Sequence, residues 1–293
     1  MAATLALIAA FLFAVAATLQ QKGALNLDGV SLGQPMSLVR LVGQRMWLLG
    51  TVALLIGYAL QAAALDRGRL AVIQPLLVTT IVFALPLGWW LTNQHVGRRE
   101  VIGAAVIILG LAAFTIYGDP AGGKDNAPNN EWAIAIAILA VICALLLMFG
   151  RKGTPTTIAA VYGSVAGILF GLSAALTKPT VEQLHDGVGV MLSHWQCYAL
   201  AIAGVLGFIL QQVSLGTGRL APSVATVSVV NPIVGVLLGI AIFDERFSRP
   251  TWHVVVAVIS LLLALGGAVL ISLASQPEPE PSSEPAESSA ALA

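Results

Sequence analysis

Charged side chains are scarce in this chain of 293 residues. Lys and Arg number 14, Asp and Glu number 14, and together they make up 10% of the sequence, against about a quarter in a soluble domain. The formal net charge is zero, so the composition provides no basic surface that would attract nucleic acid. Charge this sparse also leaves no stretch that could form a soluble catalytic domain. We therefore expect neither an enzyme nor a nucleic-acid-binding protein.

Cysteines and metal-ligand patterns are scarce as well. The two cysteines, Cys143 and Cys197, lie within apolar stretches and give neither a disulfide framework nor zinc-site spacing. The four histidines have no second ligand at metal spacing, and the chain has no glycine-rich phosphate loop. We therefore expect no catalytic residue, no cofactor and no resident metal.

What the chain has instead is a series of long stretches without any charged residue. The mean hydropathy is +0.90, and each stretch approaches or exceeds the roughly 20 residues that cross a bilayer as a helix. Because backbone groups in lipid must satisfy their own hydrogen bonds, stretches this apolar form helices. The sequence predicts an all-α polytopic membrane protein with about nine transmembrane helices. The stretches are residues 2–21, 46–65, 70–97, 101–118, 132–150, 153–177, 187–218, 220–243 and 250–277.

The two ends of the chain differ in character. The first stretch has no basic region before its apolar run, which is also longer than that of a signal peptide, so we expect a retained membrane helix. Residues 276–293 contain four Glu and no Lys or Arg, and we expect a disordered acidic Pro/Ser tail. Eight Lys and Arg lie on one side of the predicted helices and six on the other. This balance favours a cytoplasmic tail, and we expect a multi-pass protein of the plasma membrane.

The sequence also contains an internal repeat. The recurring segments keep their order, and two of the three share an offset of 157 residues, whereas the third has 150. The difference of seven residues is about two helical turns, so side chains stay on the same face. The pairs are Leu12-Phe13-Ala14 with Leu169-Phe170-Gly171, Gln74-Pro75 with Asn231-Pro232, and Gly68-Arg69-Leu70-Ala71 with Gly218-Arg219-Leu220-Ala221.

This duplication predicts two four-helix repeats, residues 1–118 and 153–275, joined by a linker with a central transmembrane helix at 119–152. Five helices per period is an odd number, so the second repeat enters the membrane from the opposite side. Inverted repeats are typical of secondary transporters, whose substrate sites lie at the repeat interface near the midplane. Small-residue runs, Gly163/Gly167/Gly171 and Gly235/Gly239, allow close helix contacts, within one chain or in a homodimer.

Three segments resemble a known family: Gly57–Leu76, Arg151–Lys178 and Val229–Phe247. They are similar to the drug/metabolite transporter superfamily with its EamA-type repeats, and the nine-span layout is most similar to the NIPA-type magnesium transporters. The resemblance implies a transporter with Mg²⁺ as a candidate substrate. The family's pattern has an acidic residue and an Asn where this chain has Tyr58 and Gln61. Mg²⁺ prefers carboxylate oxygens, and no Asp or Glu lies within the nine stretches.

Uncharged polar residues inside the predicted helices are the candidates for a substrate pathway. Polar groups in hydrocarbon tend to face the bundle interior or a cavity, and the amides recur in both halves. The alternative is interhelical hydrogen bonding, worth about 0.6–2 kcal/mol per contact. The candidates are Gln20, Gln21, Tyr58, Gln61, Gln74, Pro75, Lys178, Gln211, Gln212, Asn231 and Pro232.

Two kinds of candidate carry specific expectations. Pro75 and Pro232 remove helical hydrogen bonds and can free a carbonyl at membrane depth, each beside an amide side chain. Lys178, near the predicted end of the sixth helix, could pair with an anionic substrate or take part in proton coupling. Its alternative role, a side chain reaching the headgroup region, is the more common one.

These observations favour a secondary transporter that moves a small solute or ion across the bilayer by alternating access. Within that class, a divalent cation such as Mg²⁺ and a small organic metabolite or drug stay open as substrates. The alternative outside the class is a non-transporting membrane scaffold. Energy from ATP would need another subunit, since the chain has no nucleotide-binding motif.

Overall fold

The computed structural model describes residues 1–25, 43–92, 97–118, 120–150, 153–216, 220–247 and 250–274. The predicted acidic tail at 276–293 lies outside these residues. The described part is almost entirely helical, with two short strands, β1 (Pro120–Gly122) and β2 (Glu245–Phe247). The helices are α1 (Ala2–Leu25), α2 (Arg45–Arg67), α3 (Leu70–Leu77), α4 (Thr79–Thr92), α5 (Arg98–Gly118), α6 (Asn129–Gly150), α7 (Pro155–His185), α8 (Val188–Ser193), α9 (Trp195–Gly216), α10 (Leu220–Phe243) and α11 (Thr251–Ala274).

The expectation of a polytopic all-α membrane protein is confirmed. Eight described segments are long and apolar enough to cross a membrane, with α3 and α4 counted as one segment. The remaining span is α9, whose strictly apolar part is shorter but which has 22 residues in all, about 33 Å at 1.5 Å per residue. The outward side chains are apolar on most helices, and α6 has the least buried span, 6%. An apolar exterior of this kind suits hydrocarbon.

Three predicted helix boundaries were wrong. The third span is broken at Val78, whose N–H donates to the carbonyl of Pro75 at 3.0 Å, an i−3 bond that interrupts the i−4 pattern of the α-helix. The sixth helix runs past Lys178 and Pro179 to His185. There the hydroxyl of Thr180 bonds the carbonyl of Leu176 at 2.7 Å.

The seventh predicted stretch, residues 187–218, was the third such case, because it holds two helices. The short α8 precedes the membrane helix α9, and the chain between them is extended at His194. The N–H of His194 bonds the carbonyl of Met191 at 3.2 Å, which ends α8 before the next helix begins.

The helices pack in the order that an inverted repeat requires. In the first half α1 packs against α2 and against α3 and α4; in the second half α7 packs against α9 and against α10. Contacts between the halves include α3 with α10 and α5 with α11, whereas α10 and α11 also pack against each other within the second half. Each first-half helix is thus matched by a second-half helix with the same neighbours. The linker helix α6 packs mainly on α7.

Two glycine–phenylalanine contacts show the repeat at the level of single residues. A Cβ on Gly57 of α2 would lie 2.7 Å from the Phe13 ring of α1. A Cβ on Gly207 of α9 would lie 3.1 Å from the Phe170 ring of α7. The Phe pair is 157 residues apart and the Gly pair 150, which are the two offsets read from the sequence. Each glycine therefore admits an aromatic ring of the preceding span.

Backbone contact joins α5 to α11. A Cβ on Gly110 would lie 2.6 Å from the carbonyl oxygen of Ser260 and 2.9 Å from the amide nitrogen of Ala264. On the same face, a Cβ on Gly103 would lie 2.9 Å from the carbonyl oxygen of Gly267. Small residues that let two backbones touch are a common way to join membrane helices.

Replacing Gly110 with Ala is expected to lower the free energy of unfolding by about 2 kcal/mol, because overpacking against backbone cannot be relieved by a rotamer change. The control is Gly266→Ala on α11, where an added Cβ meets nothing within 4 Å among the described residues. Thermal unfolding of both variants in the same detergent compares the two sites. Equal melting temperatures would show that the α5–α11 contact is not tight.

Candidate functional site

A cavity of about 700 Å³ lies between the two halves of the protein. Its walls come from α1, α2, α3 and α4 in the first half and from α7, α9 and α10 in the second. Every described residue that lines it is uncharged. Its polar members are Tyr58, Gln61, Gln74, Thr80, Ser173, Thr177, Gln211, Ser228 and Asn231.

The amide of Gln74 is the most buried polar group of the cavity. Gln74 is 1% exposed, and neither its Oε1 nor its Nε2 has a hydrogen-bond partner among the described residues. The buried Oδ1 of Asn231 likewise has no partner there. Buried amide atoms are nearly always bonded. Two such groups, 157 residues apart in equivalent halves, are suited to bind a molecule inside the cavity.

Glycine on α10 lets the Gln74 side chain lie where it does. A Cβ on Gly235 would lie 2.4 Å from the Cγ of Gln74, so the Gln side chain crosses directly over α10. Gly235 follows Asn231 by one helical turn. The two amides therefore sit on adjoining parts of the α3–α10 contact, one supplied by each half.

Proline shapes both amide-bearing helices. Pro75 follows Gln74 and precedes the break at Val78, and Pro232 follows Asn231 inside α10. Because proline has no N–H, Pro232 cannot donate to the carbonyl of Ser228 four residues before it. Ser228 and Pro232 both line the cavity. Pro232 therefore interrupts the hydrogen-bond pattern of α10 beside the amides.

Glutamine and aromatic residues complete the walls. Gln61 of α2 and Gln211 of α9 both line the cavity and are equivalent in the repeat, 150 residues apart. Tyr58 packs edge-on against Phe13 with ring centroids 5.1 Å apart. Phe170 lines the other half. The cavity thus combines amide groups with aromatic surfaces.

Gln20, Pro75 and Lys178 are sequence candidates that lie outside the described lining. Gln20 donates to the Oγ1 of Thr51 at 3.4 Å, which is the interhelical bonding that the sequence left open as an alternative. Pro75 lies inside α3 and is not part of the described lining. Gln21 and Gln212 lie in α1 and α9, and their side chains are outside the described part of the structure.

Lys178 also lies away from the cavity lining. Its Nζ is 3.3 Å from the Oδ1 of Asp125 and 3.4 Å from the carbonyl oxygen of Lys124. It stands 4.9 Å from the centroid of the Phe243 ring. The ammonium therefore ties the linker to the end of α10. This placement indicates a structural role outside the described lining of the cavity.

Replacing Lys178 with Met is expected to cost about 1 kcal/mol of stability, because its ion-pair partner is solvated and contributes little, while the ring contact adds a comparable amount. Thermal unfolding measures this loss, and solute binding to the cavity is expected to persist. Lys124→Met, which removes only a half-exposed pair with Glu131, is the control. Loss of binding in Lys178→Met alone would place Lys178 in the solute pathway.

Small hydroxyl residues of the lining and one buried carboxylate were not predicted from the sequence. Ser173, Ser228 and Thr80 carry no sequence signal that separates them from other membrane Ser and Thr. Glu245 follows the predicted stretch 220–243 and lies outside all nine stretches, but it is 1% exposed. The Asp-Glu-Arg segment after α10 was visible in the sequence, whereas the partner of the Glu was not.

The Glu245 carboxylate caps a helix of the other half. Oε1 accepts from the N–H of Leu70 at 2.8 Å, and Oε2 accepts from the N–H of Ala71 at 2.8 Å. These are free N–H groups at the start of α3, where the helix dipole favours an anion. A Cβ on Gly239 would lie 2.7 Å from Oε2, so only glycine leaves room there. The carboxylate therefore joins the start of α3 to the end of α10.

The two strands reinforce this junction. β1 and β2 pair antiparallel, with Gly122 opposite Glu245, and the N–H of Lys124 bonds the carbonyl of Phe243 at 2.8 Å. Gly123 has φ +107°, a conformation that favours glycine. The linker between the halves is thus fixed to the end of α10, on the same side of the protein as the start of α3.

Fold and site together define a polytopic helical membrane protein whose two halves flank an amide-lined cavity, uncharged in the residues that the structure describes. Residues 33–116 match the EamA-like transporter family. This match covers most of the first half of the chain. The resemblance to EamA-type repeats seen in the sequence is thereby confirmed.

Two curated relatives extend over most of the chain. An uncharacterised protein of Corynebacterium glutamicum is 28% identical over 231 residues, 78% of this chain and 80% of that protein. A probable magnesium transporter, NIPA9, of Arabidopsis thaliana is 24% identical over 272 residues, 87% of this chain and 77% of that protein. No solved structure matches the chain.

Proposed function

We propose that this protein is a secondary transporter that moves a small polar solute through the cavity by alternating access. The observation that carries the proposal is the cavity itself, which is built from equivalent spans of two inverted halves and is lined by Gln74 and Asn231, whose buried amide atoms have no partner in the described part of the chain. Transporters with inverted repeats bind substrate at this interface. The family match over residues 33–116 supports the same class. A scaffold would have no need for such a cavity.

Rocking of one half against the other is the motion that this architecture supports. The helices that cross between the halves, α3 with α10 and α5 with α11, lie at the interface. At one side of the membrane the interface is held by the Glu245 cap and the β1–β2 pair. Opening of the interface on this side requires the bonds of the Glu245 cap and of the β1–β2 pair to break. In the described conformation these bonds hold the two halves together on this side.

Mg²⁺ is the second candidate substrate, and the relative named as a probable magnesium transporter favours it. The lining offers Mg²⁺ only uncharged oxygens among its described residues, whereas Mg²⁺ is usually bound through one or two carboxylates. No cluster of three His, Cys, Asp or Glu able to hold a metal occurs in the described part of the chain. The donor set therefore favours an organic solute over the ion.

Proteoliposomes test the transport function directly. Vesicles containing the protein are incubated in a small-metabolite extract, and the retained compounds are identified by mass spectrometry, with Mg²⁺ followed by a trapped indicator. We expect at least one solute to accumulate above empty vesicles, and this accumulation to be lost in a Gln74→Leu/Asn231→Leu variant but kept in Gln20→Leu. Retention equal to that of empty vesicles for all solutes and for Mg²⁺ would contradict the proposal.

A further inference from the structure

We propose that the cavity binds an uncharged organic molecule that both donates and accepts hydrogen bonds, held between the amides of Gln74 and Asn231. The inference rests on the proposed transport function, since it names the class of solute that the site would carry.

The charge of the lining sets the first requirement. None of its described residues is Asp, Glu, Lys, Arg or His. Two buried charges in neighbouring elements have other partners, since Glu245 accepts from the start of α3 and Lys178 pairs with Asp125. A charged solute would lose its water without meeting a counter-charge, which is strongly unfavourable. An uncharged solute avoids this cost.

The unpartnered amide atoms set the second requirement. Gln74 and Asn231 line the cavity, and the Oε1 and Nε2 of Gln74 and the Oδ1 of Asn231 are buried without a hydrogen-bond partner among the described residues. A carboxamide offers two donors and one acceptor, so a solute with both kinds of group satisfies all three atoms. A purely apolar solute would leave them unbonded, and a solute that only accepts could not bond the two carbonyls. The site therefore selects for mixed hydrogen-bonding character.

Size and shape set the third requirement. The cavity volume of about 700 Å³ falls within the roughly 300–1,000 Å³ typical of sites for small organic ligands. The edge-on pair of Tyr58 and Phe13 and the ring of Phe170 offer apolar and π surfaces beside the amides. A planar molecule of this size can contact both halves at once, so its binding would favour the conformation in which α3 and α10 are joined.

Three isosteric probes separate these requirements. Benzamide, benzoate and benzamidinium share one ring and one branched head, and differ in charge and in donors and acceptors. Binding of each to the purified full-length protein in nanodiscs is measured by titration calorimetry. We expect benzamide to bind at least about tenfold more tightly than either ion. Gln74→Leu is expected to weaken benzamide binding about tenfold, whereas Gln20→Leu, outside the lining, leaves it unchanged.

A charge substitution at Gln74 tests whether the loss of benzamide binding in Gln74→Leu is caused by misfolding. Gln74→Glu is expected to reverse the order, so that benzamidinium binds most tightly, because the new carboxylate supplies a counter-charge. A misfolded variant could not gain a ligand in this way.

The possible outcomes separate the solute class from the transport function. Equal binding of the three probes, no binding of any, or preference of the native protein for an ion would overturn the solute class. Preferential benzamide binding by a protein that accumulates no solute in vesicles would overturn the transport function and leave the solute class standing.

Discussion

Replacing Glu245 with Ala is expected to lower the free energy of unfolding by about 3 kcal/mol, because two buried N–H groups lose a charged acceptor. The carboxylate accepts from Leu70 and Ala71 at 2.8 Å each and is 1% exposed. Glu245→Gln has a side chain of similar shape and keeps one acceptor oxygen, so we expect a smaller decrease in the free energy of unfolding. The same order is expected for solute affinity, since the cap joins the helices that carry Gln74 and Asn231.

Asp244→Asn is the matched control for Glu245. Asp244 is the preceding acid, it is exposed, and its carboxylate pairs only with Arg246 among the described residues. Its φ of 53° is one that Asn adopts readily, so this change removes one charge without straining the backbone. Thermal unfolding of the three variants in one detergent is the measurement. A Glu245→Ala protein as stable as Asp244→Asn would show that the cap contributes nothing.

Replacing Gly235 with Leu is expected to reduce solute binding at least about tenfold, because the new side chain takes the place of the Gln74 amide. Even a Cβ at this position would lie 2.4 Å from Cγ and 3.0 Å from Cβ of Gln74. The Gln side chain is flexible and can turn away, so the protein should still fold at a cost of about 1–3 kcal/mol. The substitution is therefore expected to affect solute binding more than folding.

Gly266→Leu is the control for Gly235, because Gly266 faces outward from α11 with nothing within 4 Å of an added Cβ among the described residues. Benzamide affinity of both variants is measured in nanodiscs, with thermal unfolding as the check on folding. Unchanged affinity in Gly235→Leu would mean that the position of Gln74 does not matter for the solute.

The spans and the paired amides could be predicted from the sequence because they depend on local composition. Hydropathy located the described membrane helices, and the offsets of 157 and 150 residues recur in the contacts of Phe13 with Gly57 and of Phe170 with Gly207. Inversion of the repeat follows from counting helices. The cavity brings together Gln61, Gln74, Gln211 and Asn231, which the sequence had grouped as candidates.

The rest depends on tertiary contacts that the chain order does not reveal. The sequence predicts that the sixth helix ends near Lys178, but α7 continues to His185. The Lys178 ammonium forms an ion pair with Asp125 of the linker. Glu245 bonds a helix start that lies 174 and 175 residues away in the sequence. The strand pair β1–β2 was not predicted, because its segments are only three residues each and neither has a strand pattern of its own.

Two-sided access to the cavity is the property that most directly distinguishes a transporter from a scaffold. Ser228 lines the cavity, so a Ser228→Cys variant in a Cys143→Ser/Cys197→Ser background places one thiol there. A membrane-impermeant maleimide is applied to one face of oriented proteoliposomes at a time. Ala264→Cys, buried in the α5–α11 contact, is the unreactive control.

Alternating access predicts that the Ser228→Cys thiol is labelled from either face, and that benzamide slows the labelling from both. Labelling from one face only, or from neither, would contradict alternating access through this cavity.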